Sequence, residues 1–143
     1  MTRLIGAIAS ILLMGSVITA HAKADPLLAD QVFELQGYAD TAYQSFGLSK
    51  PWPELRLVNR RDDMLKSSDV IAQAAVFSDF TRVLYFNRSA LGRATHIVTE
   101  TIDHEAAHFA AWEAHGYDIR THGRQFEETC LSEMSALTCK RFR

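Results

Sequence analysis

The chain has 143 residues, of which 48% are apolar and 10% aromatic, and its formal net charge is −2 with neutral histidines. This length and composition predict one globular domain with a modest core and argue against intrinsic disorder. The mildly acidic balance disfavours nucleic-acid binding by general attraction to phosphates.

The N-terminal segment has the three parts of a secretory signal peptide. Arg3 gives a basic start, an apolar run covers 4–20, and small residues flank His21 at the end. We expect residues 1–22 to be a signal peptide cleaved after Ala22, and residues 23–143 to form the domain. Loss of Arg3 leaves 14 basic against 17 acidic residues, a mature charge of −3. The expected location is periplasmic or secreted, without a stable membrane span; the alternative is an uncleaved anchor.

Apolar spacing predicts a long first helix. Asp25-Pro26 combines a capping side chain with proline at the first helical position, and Gly47 is suited to end the helix. Between them, apolar residues recur at intervals of four and three, which predicts one buried stripe. Its members are Leu28, Val32, Leu35, Ala39, Ala42 and Phe46.

The middle of the chain predicts a small sheet. The prolines within 50–53 predict a connector. A short strand is expected at 55–59, and the β-branched and apolar segments 72–77 and 81–86 predict a hairpin. Residues 87–93 are expected to turn, with a single helical turn. The sheet should have about three strands, antiparallel in part.

A second long helix is predicted from Ala94 or Thr95 to Gly116, and a C-terminal helix is predicted to start near Phe126, which could anchor it against the core. Val98, Ile102 and Phe109 fall on one side of the second helix and predict its core stripe. Together these elements predict a single α+β domain.

His104, Glu105 and His108 form a His-Glu-x-x-His pattern on this helix. Histidines four residues apart lie one turn from each other, so both imidazoles can bind one cation from a rigid surface. Catalytic zinc sites use three protein ligands plus water, and a nearby carboxylate can act as general base. The pattern therefore predicts a zinc site with Glu105 beside it.

The third ligand must come from elsewhere, and His115 and His122 are the candidates. His115 lies seven residues after His108, about 10 Å further along a straight helix, so the two cannot share a zinc ion. His122 follows Gly116, where the chain can turn back, and precedes Gly123, which permits close backbone approach. We therefore predict His122 as the third ligand. His115 is expected to be a helix-end residue, and His96 a surface or capping residue.

Cys130 and Cys139 are the chain's two cysteines. In an exported protein such a pair favours a disulfide. A continuous helix would separate them by about 13.5 Å, so a bridge requires the helix carrying Cys130 to end and the chain to fold back. Otherwise the thiols stay apart.

The motifs at 104–108 and 122–126 resemble those of the SprT-like zinc metalloproteases, in which a His-Glu-x-x-His helix is followed by a His-Gly-x-x-Phe element. The resemblance covers roughly residues 27 to 130. It implies a minimal zincin, gluzincin-like fold with one zinc ion on His104, His108 and His122 and with Glu105 as catalytic carboxylate. Two cysteines are too few for the four-cysteine zinc ribbon of many members, and we do not transfer the DNA-repair role of the eukaryotic ones.

Further polar residues near the motifs have two readings each. Glu127, Glu128 and Glu133 could orient a metal-binding histidine or form a solvated helix face. Tyr117 and His115 are weak candidates for oxyanion stabilisation because both stand near the helix end. The clusters 60–61 and 140–143 are expected to be solvated basic surface.

The function expected from sequence is that of an exported zinc metallopeptidase, a hydrolase acting on a protein or peptide substrate by zinc-activated water with Glu105 as general base. Two alternatives are a secreted zinc-binding protein without catalysis and a hydrolase of peptidoglycan stem peptides. A cytosolic DNA-associated protease would require the N-terminal segment to have another role. Cleavage preference, oligomeric state and natural substrate do not follow from these residues.

Overall fold

A computed structural model describes residues 26–59, 65, 69–116, 119, 122–134 and 139 of the chain. The predicted signal peptide at 1–22, Tyr117 and the basic clusters at 60–61 and 140–143 lie outside these residues. The described elements form a mixed α+β arrangement of three α-helices and one three-stranded sheet, which confirms the predicted fold class at this level.

Helix α1 (Pro26–Ser45) begins and ends close to the predicted positions. Leu35, Ala39 and Ala42 of its apolar stripe are buried in the main core. Gly47 follows the helix with a φ of 66°, a left-handed conformation that glycine adopts without steric cost. The predicted stop is confirmed, and so is the stripe over the C-terminal part of the helix; Leu28 and Val32 are half-buried.

The sheet consists of β1 (Glu54–Val58), β2 (Ala72–Val76) and β3 (Arg82–Asn87) in the order β1-β3-β2. The predicted hairpin is confirmed, since β2 pairs antiparallel with β3. Strand β1 pairs with β3 in parallel, so the sheet is antiparallel in part. The central strand is the most buried, and β2 lies at one edge.

The loop between β2 and β3 is a tight turn. Phe77 N donates to Thr81 O, and Phe80 N donates to Phe77 O. Phe80 has a φ of 65°, in the left-handed region that bulky residues rarely adopt. Its side chain is 73% exposed.

Helix α2 (Thr95–His115) follows a single 3₁₀ turn at Arg88–Ala90, as predicted. Gly116 ends it with a φ of 61°, and its N–H donates to Trp112 O. Helix α2 contacts α1, α3 and β2, so it is the central element of the fold. Val98, Ile102 and Phe109 are buried, as the predicted core stripe requires.

Helix α3 (Arg124–Glu133) is short, and Met134 leaves it in an extended conformation. The chain then brings Cys139 to Cys130, with a Cα–Cα distance of 5.9 Å, and the two form a disulfide. The predicted disulfide is therefore confirmed. As predicted, the helix that carries Cys130 ends and the chain folds back to bring Cys139 to it. Of the helices at 26–45, 95–115 and 124–133, none has both the length and the apolar character needed to cross a membrane.

Candidate metal centre

His104 and His108 project from one face of α2. They are 2% and 5% exposed, and their ring centroids are 4.9 Å apart. The rigid helix alone fixes their separation, because they are one turn apart. They are the buried part of the candidate site.

His122 reaches this pair from the segment before α3. Its Nε2 atom lies 3.0 Å from Nε2 of His104 and 3.1 Å from Nε2 of His108. The predicted convergence of the three rings is therefore confirmed, and their nitrogens are close enough to bind a metal ion. His96 and His115 are exposed and do not belong to this cluster.

The spacing of the nitrogens suits a small divalent cation. Ligand nitrogens at 2.0–2.1 Å from a tetrahedral zinc ion are about 3.3 Å from one another. The two Nε2 separations to His122 are within a few tenths of an ångström of that value. The donor set of three imidazoles also matches those of known catalytic zinc sites.

Burial keeps the ligand rings in the form that binds metals. Together with a smaller effect of the neighbouring His122, burial lowers the pKa of His104 to about 3. Burial likewise lowers the pKa of His108 to about 2, with contributions from His104 and His122. Both rings on α2 are therefore neutral at physiological pH and offer nitrogen lone pairs to a cation.

Phe126 holds the three rings together from the α3 side. Its ring centroid lies 4.9 Å from His104, 4.2 Å from His108 in a stacked arrangement, and 4.9 Å from His122. It is 1% exposed and packs with Ala107 and with the Cys130–Cys139 bridge. The predicted anchoring role of Phe126 is confirmed.

Glu105 lies on α2 beside the ligand pair and is 9% exposed. Its Oε2 accepts a hydrogen bond of 2.7 Å from the backbone N–H of Ala74 on β2. Burial raises the pKa of Glu105 to about 8, and the Ala74 amide opposes this shift. The carboxyl group is thus buried, positioned at one oxygen and able to exchange a proton near neutral pH.

Sequence reasoning missed the Ala74 amide. Every residue type except proline has a backbone N–H, so the sequence does not mark this donor. It reaches Glu105 only because β2 packs against α2 at this point. The hairpin pattern placed residue 74 in a strand, but local periodicity does not specify which helix faces that strand.

Two of the three acidic residues predicted to have a role on α3 form a solvated face. Glu128 is exposed and pairs with Arg124 at 2.7 Å, four residues away on the same helix. Glu133 is also exposed, so both belong to a solvated face. Glu127 is half-buried in the first turn of α3. The proposed orienting role stays a prediction for Glu127.

Comparisons with protein-family models, with curated proteins and with solved structures find no match to this chain.

Proposed function

We propose that this protein is a zinc-dependent peptidase of the SprT-like type, with a minimal zincin fold. The observation that carries the proposal is the convergence of three imidazole nitrogens beside a buried carboxyl group. His104, His108 and His122 would hold the ion. A bound zinc ion supplies Lewis acidity, which lowers the pKa of a water molecule and polarises a carbonyl group.

Glu105 moves the proton in this reaction. Its Oε2 is held by the Ala74 amide, so its other carboxylate oxygen is the one that takes the proton from the attacking water. The same oxygen then gives the proton to the leaving amine nitrogen. Burial raises the pKa of this carboxyl group above its ordinary value, and general catalysis works best when the pKa of the group is near the working pH.

The edge of β2 favours a peptide as substrate. Phe77 N donates to Thr81 O, and Asn87 N donates to Ile71 O. Along β2, residues that bond to β3 alternate with residues that do not, and these two bonds show that the odd-numbered residues face β3. By that alternation, residues 72, 74 and 76 direct their backbone N–H and C=O groups away from β3. The outward N–H of residue 74 is the one that Glu105 accepts. Since Glu105 keeps the Ala74 N–H, an extended peptide on this edge would pair with its other outward backbone groups and would pass alongside Glu105.

The same carboxyl group argues against a zinc-binding protein without catalysis. Structural zinc sites are closed by four protein ligands, whereas the ligand group found among the described residues has three members, which would leave a position for water. Burying Glu105 also opposes its ionisation, a cost that a purely structural site has no need to bear.

Export is part of the proposal. The Cys130–Cys139 bridge supports an oxidising compartment, where disulfides form and persist. An N-terminus of the mature protein at residue 23, measured by mass spectrometry, would agree with it; an intact Met1 in the exported fraction would contradict it.

Metal analysis of the purified mature protein, paired with a peptide-library digest, tests the function. We expect one zinc ion per chain and cleavage that disappears in Glu105→Gln. Zinc content without cleavage of any peptide would favour the binding protein. Release of peptides from purified sacculi, with no cleavage of linear peptides, would identify a peptidoglycan hydrolase instead.

A further inference from the structure

An open pocket with several large apolar side chains in its lining lies where β2 ends. It has a volume of about 340 Å³, within the range of ligand pockets. Both the hairpin and α2 contribute to it. The large apolar residues that line it are Val76, Phe77, Phe80, Trp112 and Ile119.

Spacing along α2 and β2 places residues of the pocket near the groups proposed for catalysis. Trp112 follows His108 by four residues and so lies one turn further along the same face of α2, about 6 Å along the axis. Val76 and Phe77 follow Ala74 by two and three residues, about 7 to 10 Å along the strand. A peptide on the edge of β2 that passes Glu105 would therefore also pass this pocket.

Phe80 is the unusual member of the pocket. In a three-residue hairpin loop, the last position adopts a left-handed conformation and is ordinarily glycine. Here Phe80 occupies it with a φ of 65° and leaves its side chain 73% exposed. The fold thus bears both backbone strain and exposed aromatic surface, a combination found at ligand-binding positions. The ring contacts Trp112, at 6.2 Å between centroids.

We infer that this pocket receives an aromatic or large aliphatic side chain of the peptide substrate, two or three residues N-terminal to the scissile bond. The inference rests on the proposed peptidase function. Antiparallel pairing is the more stable kind per residue, and a peptide added to β2 in that direction places its N-terminal part beside the residues that follow Ala74. Phe77, Phe80 and Trp112 are the specificity-determining residues, because they offer flat apolar surface to such a side chain.

The test compares cleavage of a positional peptide library by wild type, Phe80→Gly and Phe33→Ala. Glycine fits the left-handed turn, so Phe80→Gly should keep its thermal stability and zinc content. Phe33 is an exposed phenylalanine of α1, 83% accessible, that does not line the pocket. We expect wild type and Phe33→Ala to prefer aromatic or large aliphatic residues two or three positions before the cleaved bond. In Phe80→Gly this preference over alanine should fall by about tenfold.

A binding measurement separates recognition from turnover. In zinc-loaded Glu105→Gln, the Kd of a peptide with phenylalanine at the preferred position should rise about tenfold on adding Phe80→Gly. The Kd of the matching alanine peptide should change little.

Cleavage with no preference at those positions, with the preference on the C-terminal side, or with a preference unchanged in Phe80→Gly would overturn the pocket assignment and leave the peptidase standing. No cleavage by wild type would overturn both.

Discussion

Replacing Glu105 by glutamine separates its chemical role from its structural one. The amide oxygen of glutamine can still accept the Ala74 N–H, so the contact between α2 and β2 is kept. The amide cannot take a proton at neutral pH, and loss of a general base lowers turnover by about two to four orders of magnitude. Zinc content should be unchanged, because the three histidines are untouched.

The same change should stabilise the metal-free protein at high pH. Burial raises the pKa of Glu105 from 4.5 to about 8. Between these values the folded protein keeps a proton that the unfolded chain has lost. The stability that this carboxyl group contributes is therefore fully present below pH 4.5 and is lost as pH rises through about 8. The full pKa shift corresponds to a change of at most about 5 kcal/mol in the free energy of unfolding. Glutamine does not ionise, so the variant lacks this pH dependence.

Chelator-treated wild type and Glu105→Gln would be unfolded in urea at several pH values from about 5 to about 9. We expect the variant to become more stable than wild type as pH rises. The pH dependence of His104 and His108 is common to both proteins and cancels in the difference. Parallel stability curves would refute the burial reasoning, and equal turnover would refute the base assignment. Glu105→Ala is the matched comparison, since it leaves the Ala74 N–H without its acceptor and should lose about 1 to 3 kcal/mol.

Three further outcomes follow from the geometry. His122→Ala should weaken zinc binding far more than His115→Ala, since only the first ring reaches the cluster; the reverse order in metal titrations would show that the third ligand is misassigned. The metal-free protein should lose stability as pH falls below about 6.5, because burial lowers the pKa of both ligand histidines on α2 and the unfolded chain therefore binds protons first. The two histidines contribute a slope of at most about 2.7 kcal/mol for each pH unit, and the raised pKa of Glu105 offsets about half of it in wild type above pH 4.5. The test therefore uses metal-free Glu105→Gln, in which a flat urea-unfolding midpoint between pH 6.5 and 4 would contradict the reasoning. Cys130→Ser combined with Cys139→Ser should lower the free energy of unfolding by about 2 to 3 kcal/mol, and an unchanged denaturation midpoint would argue against a contribution from the bridge.

Much of the candidate site could be predicted because its spacing is local. His104 and His108 are one helical turn apart, so geometry alone joins them. His122 could be preferred over His115 by counting helical rise and by noticing the glycines that permit a bend. The helix ends at Gly47 and Gly116 were predictable for a related reason, since both glycines adopt the left-handed conformation.

What could not be predicted depends on contacts between distant segments. The order β1-β3-β2 inserts the last strand between the first two, and strand patterns carry no information on that order. The bond from Ala74 to Glu105 follows from it. Phe80 gave no signal either, because its residue type argues against the conformation it adopts.

The position of Phe126 affects how mutations in α3 should be interpreted. Within the described part of the chain, α3 covers the histidines through the ring of Phe126, which is stacked on His108. Substitutions that loosen α3, even at positions that never touch an ion, should therefore register first as loss of metal and only later as unfolding. A screen by activity alone would group them with ligand mutants; measuring metal content and melting temperature side by side would tell the two apart.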